Sequence, residues 1–422
     1  MPQEHEQSPQ SHAGRAWPLY GAAFSTALSL GMVWTAMPFV LVAMGGTKAH
    51  VGYAPAASSF AYMAALLLTG SMLGHLDVRL ATRLAMIVAT MSILLMVTAV
   101  AGALFAGLMP PIVWVWLTIV AGGFVGAAMA LHWPFLMSWV SGTYEGVALN
   151  RRFGRYNGSW SSGALVGPLI GARLVEIAPI WPVVAAATAM ATSLILLGFA
   201  RNSRDGARTP RESQTPSGPV LDAGLLADFR WLSRIGMFCG WACFAIARSQ
   251  FALLFTSLGY SESRFGVFLM LVAGCNLLAL TACGRWPFWH FRAGMLIGAQ
   301  GMFLLSMLML LYGSSLPVFF LAAIILGLAF GFAYSSHLYY GTSTSRNRSV
   351  RMAIHEIVIS VGVGVGSGAG GYLAENVGLY APYWFAVGLV AFGMFIQTTL
   401  HTVARAKAAI RGRPHEAAEQ AG

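Results

Sequence analysis

The sequence predicts an all-α membrane protein: twelve transmembrane helices arranged as two pseudo-symmetric six-helix bundles. Three observations support this fold class. Apolar residues make up 57% of the 422 positions and charged residues only 9%, a composition that does not suit a soluble protein. Apolar runs of about 20 residues, the length that crosses a bilayer as a helix, recur throughout the chain. Motifs of the first half recur in the same order in the second half.

Polar segments divide the chain into five parts. Residues 1–16 form a polar N-terminal tail without the apolar stretch of a signal peptide, and 405–422 form a polar C-terminal tail. Residues 201–230 are rich in Pro, Ser and Arg, which predicts a cytoplasmic linker. The regions between them, 17–200 and 231–404, each have room for six spans. The expected spans are 17–43, 52–74, 83–106, 111–137, 154–175, 180–200, 232–257, 264–284, 292–313, 316–340, 352–374 and 381–403.

Basic residues indicate how these spans are oriented. Most of the 25 Lys and Arg residues fall on one side of the membrane if both termini are cytoplasmic, as the positive-inside rule requires. The net charge of +11, which in a soluble chain could indicate nucleic-acid binding, therefore reflects topology. We expect a monomeric, multi-pass protein of the cell inner (plasma) membrane, in contact with the lipid bilayer and not with nucleic acid.

Glycines spaced four apart mark the fifth span. Gly163, Gly167 and Gly171 lie on one helix face, where a neighbouring backbone can approach closely. Pro168 removes one backbone donor and should bend the helix. The second half repeats this spacing, which indicates parallel six-span repeats. Matched pairs are Gly163 and Gly362, Gly167 and Gly366, Gly171 and Gly370, Glu176 and Glu375, Gly52 and Gly266, and His132 and His337.

The loop after the second span carries a degenerate motif. Members of the major facilitator superfamily begin this loop with Gly-x-x-x-Asp-Arg/Lys-x-Gly. Here the stretch 73–80 (LGHLDVRL) keeps Asp77 and a nearby arginine, Arg79, but Leu80 replaces the second glycine. The glycine face with Pro168 also looks like the antiporter-associated motif of that family. With the twelve spans and the basic linker, the chain resembles the superfamily over nearly its whole length.

The resemblance implies alternating access, in which two bundles rock about a solute site near the bilayer midplane. Gly163, Gly167, Pro168 and Gly171 would then take part in gating. Asp77 and Arg79 would form a cytoplasmic clamp against the start of span 11, or else a turn that only fixes topology.

Polar residues inside the spans are the best guide to a site, because each costs several kcal/mol to bury in lipid. In span 7, Arg248 lies near Gln250 and keeps its charge, so it needs an anionic partner, a water-filled cavity or an anionic solute. The alternative is a structural arginine bonded to carbonyl groups or to a neighbouring helix.

A carboxyl group lies well inside span 11, at Glu356, next to His355. A carboxyl group removed from water can exchange protons near neutral pH, which makes this pair the leading candidate for proton coupling. The alternative is an interfacial acid paired with an arginine. The candidate partners are Arg346, Arg348 and Arg351.

Two histidines occupy equivalent places in spans 4 and 10. His132 and His337 are each followed by aromatic residues, Tyr340 among them, and could hydrogen-bond a solute or carry protons. They could equally be satisfied histidines at helix ends. No cluster has the spacing of metal ligands and no phosphate-binding loop is present, so we expect neither metal nor cofactor.

Aromatic and amide side chains suit a neutral or zwitterionic organic solute. The remaining candidates for lining such a cavity are Trp34 and Thr35 in span 1, Tyr156, Asn157 and Trp160 in span 5, and Asn276 in span 8.

These observations favour a secondary active transporter of a small organic solute, driven by protons, with antiport favoured. The degenerate loop leaves a second hypothesis open, a non-transporting membrane assembly or pigment-delivery factor on the same fold. A membrane enzyme is not expected, because the chain has no dense cytoplasmic cluster of catalytic His, Asp or Cys.

Overall fold

The computed structural model describes residues 16–69, 77–142, 146–200, 223–343 and 348–410, and these residues are almost entirely helical. The helices are α1 (Trp17–Ala43), α2 (Lys48–Thr69), α3 (Val78–Ala101), α4 (Pro111–Ser141), α5 (Gly146–Ile177), α6 (Trp181–Phe199), α7 (Ala223–Ser257), α8 (Glu262–Arg285), α9 (Ala293–Tyr312), α10 (Leu316–Thr342), α11 (Arg348–Asn376) and α12 (Ala381–Ile410). A π-helical turn, Gly102–Ala106, extends α3. The predicted N-terminal tail up to residue 15, most of the linker (201–222) and the tail from residue 411 lie outside the described residues.

Several helices are longer than the apolar runs that predicted them. Helix α7 begins at Ala223, inside the predicted linker, and α5 begins at Gly146, before the expected start at residue 154. Helix α12 continues to Ile410, into the predicted tail. The physical reason is that hydropathy marks where the bilayer ends, whereas helical hydrogen bonding continues into water.

Among the described residues, eleven helices are long enough and apolar enough to span a membrane. Helix α5 is the exception, because it combines three arginines near its start with many glycines and serines. The described chain is therefore a polytopic helical membrane protein.

The same pairs of helices are in contact in the two halves of the chain. Helix α1 packs against α5 and α6, α2 against α4, and α3 against α4 and α6. Likewise α7 packs against α11 and α12, α8 against α10, and α9 against α10 and α12. Between the halves, the main contacts are α2 with α11 and α5 with α8. One buried apolar cluster draws on α1–α6 and another on α7–α10 and α12.

The glycine face of α5 brings it against α1, as predicted. A Cβ atom on Gly167 would lie 2.8 Å from the Cα of Gly31, and one on Gly171 would lie 2.7 Å from the Cα of Met32. In the second half, Gly366 meets the backbone of α7 in the same way, where an added Cβ would lie 2.6 Å from the Cα of Ala242. The predicted close approach is thus confirmed in both copies.

Arginines satisfy carbonyl groups at the ends of neighbouring helices. Arg83 Nη2 donates to Leu197 O at the end of α6 (3.1 Å), and Arg152 Nε donates to Val140 O at the end of α4 (2.8 Å). Arg230 donates to two carbonyl oxygens at the end of α10. The last carbonyls of a helix have no intrahelical partner, so these arginines stabilise helix ends.

The Gly167→Ala substitution should destabilise the protein by about 1–3 kcal/mol, because the added methyl group overlaps the α1 backbone. The matched control is Gly158→Ala in the same helix, where an added Cβ meets no atom within 4 Å. That control should be neutral or stabilising by up to about 1 kcal/mol, the helix propensity of alanine over glycine. Thermal unfolding in detergent measures both. Equal unfolding temperatures for the two variants would contradict the close contact.

Candidate functional site

A partly buried carboxyl group joins α11 to α2. The hydroxyl group of Tyr62 in α2 donates a hydrogen bond to Glu356 Oε2 in α11 at 3.0 Å. Of the three candidate arginine partners, Arg351 forms no ion pair with Glu356, while Arg346 and the side chain of Arg348 lie outside the described residues. The described partner of this acid is therefore a tyrosine from the other half of the chain.

Two further tyrosines lie in the same region of the molecule. Tyr334 of α10 lies near Glu356 and near Tyr156 of α5, and Tyr156 also lies near Tyr62. Tyr156 is only 4% exposed. The cluster therefore draws on α2 and α5 from the first half of the chain and on α10 and α11 from the second. We use the name tyrosine–carboxyl cluster for the following residues: Glu356, Tyr62, Tyr156, Tyr334, His337 and His355.

Two predicted site histidines are hydrogen-bonded to each other. The Nδ1 atoms of His337 in α10 and His355 in α11 are 2.6 Å apart, and both rings are buried. One Nδ1 must donate and the other accept, so the contact holds only while at least one of these nitrogens is unprotonated. The ring of Tyr334 packs edge-on against His355, with centroids 4.8 Å apart. The histidine pair is thus continuous with Glu356.

Arg248 is bonded to a neighbouring helix. Its Nη2 donates to Leu30 O of α1 at 3.4 Å, and its guanidinium lies 5.9 Å from the centre of the Phe244 ring. It makes no ion pair with the described residues. This contact fits the carbonyl-bonded alternative, while the remaining guanidinium N–H groups are available to a solute. Nearby Gln250 is 1% exposed, and neither of its amide atoms has a partner among the described residues.

Three other predicted residues are buried without a hydrogen-bond partner for a side-chain atom. They are Thr35 in α1, Asn276 in α8 and His132 in α4, whose two ring nitrogens are both unpartnered among the described residues. Trp34 packs against α4, where its ring would lie 3.2 Å from a Cβ on Gly122. Unpartnered polar atoms are costly in a protein interior, so each marks a position where water or a solute could supply the hydrogen bond.

Other predicted residues lie apart from the tyrosine–carboxyl cluster or bond locally. Asn157 is exposed and its Oδ1 accepts from Trp160 Nε1 at 3.1 Å. The hydroxyl group of Tyr340 accepts from Phe291 N at 2.8 Å, within a separate apolar cluster at the ends of α7 and α10. The structure therefore gives Tyr340 a packing role and does not bring it to the site.

Asp77 caps its own helix. Its carboxylate accepts from Arg79 N at 3.0 Å and from Leu80 N at 2.9 Å, the usual arrangement at a helix N-terminus. This cap also explains why α3 begins at Val78 and not near residue 83. Positions 73–76 of the motif lie outside the described residues.

Sequence reasoning missed Tyr62 and Tyr334. Tyr334 precedes His337 by one helical turn, so the shared face was a usable signal. Nothing in the sequence around Tyr62 distinguishes it from other aromatic residues of α2. Its role follows only from the contact of α2 with α11.

The described residues form twelve helices with close backbone contacts between them and a polar cluster drawn from four of the helices, which is the architecture of a polytopic helical membrane protein. The sequence model of the Major Facilitator Superfamily matches residues 19–345. The chain belongs to the major facilitator superfamily. No curated protein sequence matches it.

Solved structures of similar fold are also transporters. A bacterial homologue of the iron transporter ferroportin, in an inward-facing state, shares 14% identity and a TM-score of 0.71, covering 93% of this chain and 99% of that chain. The nucleoside transporter NupG shares 12% identity and a TM-score of 0.68, covering 91% and 98%. An auto-inhibited POT family peptide transporter shares 10% identity and a TM-score of 0.71, covering 93% and 97%. At these identities the likeness is one of fold alone.

A double-mutant cycle measures the bond between Tyr62 and Glu356. Tyr62→Phe and Glu356→Gln should couple by about 1 kcal/mol in unfolding free energy, because the first removes the donor and the second replaces a charged acceptor with the weaker, neutral amide oxygen. The control pair is Tyr53→Phe with Glu356→Gln, in which the tyrosine of the same helix stacks on Trp116 instead. That pair should be additive. Additive effects for Tyr62 as well would show that the bond does not form.

Proposed function

We propose that the protein is a secondary active transporter that moves a small organic solute by alternating access, coupled to protons, with antiport favoured. The observation that carries the proposal is the Tyr62–Glu356 hydrogen bond, which places a partly buried carboxyl group in the contact between the two halves of the chain. Family membership and the transporter folds of its neighbours support the general class.

The proposal includes two pseudo-symmetric six-helix bundles, α1–α6 and α7–α12, with Gly163, Gly167, Pro168 and Gly171 in gating. The repeated helix contacts, the repeated glycine faces and the two separate apolar clusters support this arrangement. Basic residues at the ends of α3, α5 and α7 support an inner-membrane topology with both termini cytoplasmic.

Proton coupling would act through the contact between α2 and α11. An ionised Glu356 accepts the Tyr62 hydrogen bond strongly, whereas a protonated Glu356 no longer holds a negative charge at that contact. The protonation state would therefore bias the contact between the halves, which is what an alternating-access cycle requires. Each proton that crosses the membrane supplies about 2.3 kcal/mol per 100 mV.

The surrounding side chains define the solute chemistry. Tyr156, Tyr334 and Trp34 offer aromatic surface, while Gln250 and Asn276 offer amide groups without partners among the described residues. Arg248 adds a fixed positive charge. We infer an organic solute that is neutral or zwitterionic, with hydrogen-bonding groups for the amides and an acidic group for Arg248.

Purified protein in proteoliposomes with an imposed pH gradient tests the proposal. A thermal-shift screen that begins with nucleosides and short peptides, the solutes in the names of its fold neighbours, selects the labelled compounds. Glu356→Gln should abolish gradient-driven accumulation but retain solute exchange, since the glutamine cannot release a proton. The control Glu262→Gln, at the start of α8, should accumulate solute as the wild type does.

Failure of the folded wild type to move any compound in the screen would contradict the proposal and favour the assembly or pigment-delivery role. Accumulation by Glu356→Gln at the wild-type rate would contradict the coupling role of that residue.

Arg248→Ala should raise the half-saturation concentration for solutes with an acidic group by about tenfold or more, because a charge-assisted hydrogen bond is lost. Solutes without an acidic group should be unaffected. The control Arg264→Ala removes an exposed arginine at the start of α8 and should leave both constants unchanged. An equal loss for both solute classes would assign Arg248 a structural role only.

A further inference from the structure

A glutamate at the end of α5 caps the start of α8. Glu176 Oε1 accepts a hydrogen bond from the backbone N of Ser263 at 2.8 Å, while its other oxygen pairs with Arg173 at 2.6 Å. Ser263 is the second residue of α8, so its N–H has no intrahelical partner. The carboxylate of one helix therefore accepts a hydrogen bond from an otherwise unpaired backbone N–H in the first turn of another.

A second glutamate makes the same contact elsewhere. Glu375 Oε2, at the end of α11, accepts from the backbone N of Lys48, the first residue of α2, at 2.9 Å. The ammonium group of Lys48 makes no ion pair with the described residues, so the bond belongs to the backbone. We call these two contacts the carboxylate caps.

The carboxylate caps are related by the internal repeat. Glu176 matches Glu375 in the repeated glycine motif, and the start of α8 matches the start of α2 through Gly266 and Gly52. Backbone contact reinforces both sites: a Cβ on Gly371 would lie 2.8 Å from the Cα of Gly52, and one on Gly266 would lie 2.7 Å from the Cβ of Ala172. Each cap thus closes the end of a tightly packed helix pair.

Helices α5 and α8 are in close contact near the capped end. A Cβ on Gly266 would lie 2.9 Å from the carbonyl oxygen of Pro168, whereas one on Gly284, near the end of α8, would meet no atom within 4 Å. The halves are therefore tightly joined on the side of the carboxylate caps.

We propose that the two carboxylate caps are a matched pair of gating contacts that hold this side of the transporter closed. Each joins a helix of the first half to one of the second, so both must break when that side opens. A carboxylate at a helix N-terminus is stabilised by the unpaired N–H groups and the helix dipole. The proposal rests on the proposed alternating access, which it deepens by naming the contacts that set the balance between the closed and open states.

Reactivity of introduced thiols measures the opening. Ser263→Cys places a reporter at one cap and Ala49→Cys at the other, and both keep the backbone N–H groups in place. The reagent is a small, membrane-impermeant methanethiosulfonate, and protein without a reporter gives the background of the four native thiols. No solute is needed, so the result does not depend on whether the transport assay succeeds.

Glu176→Gln and Glu375→Gln should each raise the labelling rate at both reporters by about two- to fivefold, since each replaces a charge-assisted hydrogen bond between the two halves with a weaker, neutral one. The double variant should show about the product of the single effects, because both caps oppose the same opening. Glu262→Gln removes an acid next to the cap at α8 and should leave both rates unchanged. Lys48→Gln should also have no effect, since the backbone is the donor.

Labelling that rises only at the reporter beside the substituted glutamate would indicate local fraying and overturn the proposal. So would unchanged labelling in the double variant, provided that gel filtration shows it folded. If the labelling results hold while no solute is transported, the gating contacts stand and the proposed transport function fails separately.

Discussion

Backbone contact at glycine positions is the constraint on which the rest of this structure depends. Lipid chains are as apolar as the side chains of a helix, so helices in a bilayer gain little by turning apolar surface inward. Because glycine has no side chain, α5 packs closely against α1 and α11 packs closely against α7. With these faces fixed, α5 and α11 present Tyr156, His355 and Glu356 to the space where the halves meet. The polar cluster is therefore a consequence of the packing.

Charged residues are few, and many of them complete the ends of helices. Arg83, Arg152 and Arg230 bond the last carbonyls of α6, α4 and α10, while Glu176 and Glu375 bond the first N–H groups of α8 and α2. Successive spans alternate in direction, so these even-numbered helices all run the same way. Their positive ends meet acids and their negative ends meet arginines, as the helix dipole favours. These charged residues thus complete the backbone hydrogen bonding of the helix ends.

Sequence patterns predicted the helices and the glycine faces because these features depend on local periodicity and composition. Glu356, His355 and His337 could be found because polar residues are conspicuous in apolar runs. Tyr62 could not, since its partner is remote in sequence and a tyrosine in a span is ordinary. Helix ends such as Ala223 could not be predicted from hydropathy either. Hydropathy indicates which residues lie in the bilayer and not where helical hydrogen bonding ends. What was missed depends on tertiary contact.

Helices α2 and α11 pack antiparallel, and two hydrogen bonds between them lie far apart along α2. Contacts run from Lys48 and Glu375 at one end to Tyr62 and Glu356 further along. Between these points α2 rises by about 21 Å, at 1.5 Å per residue. A rotation of α2 by about 10° about a point at Tyr62 would therefore move Lys48 away from Glu375 by about 4 Å, which is wider than a water molecule. The Lys48 end of this helix pair could thus open to water while the geometry around Glu356 hardly changes.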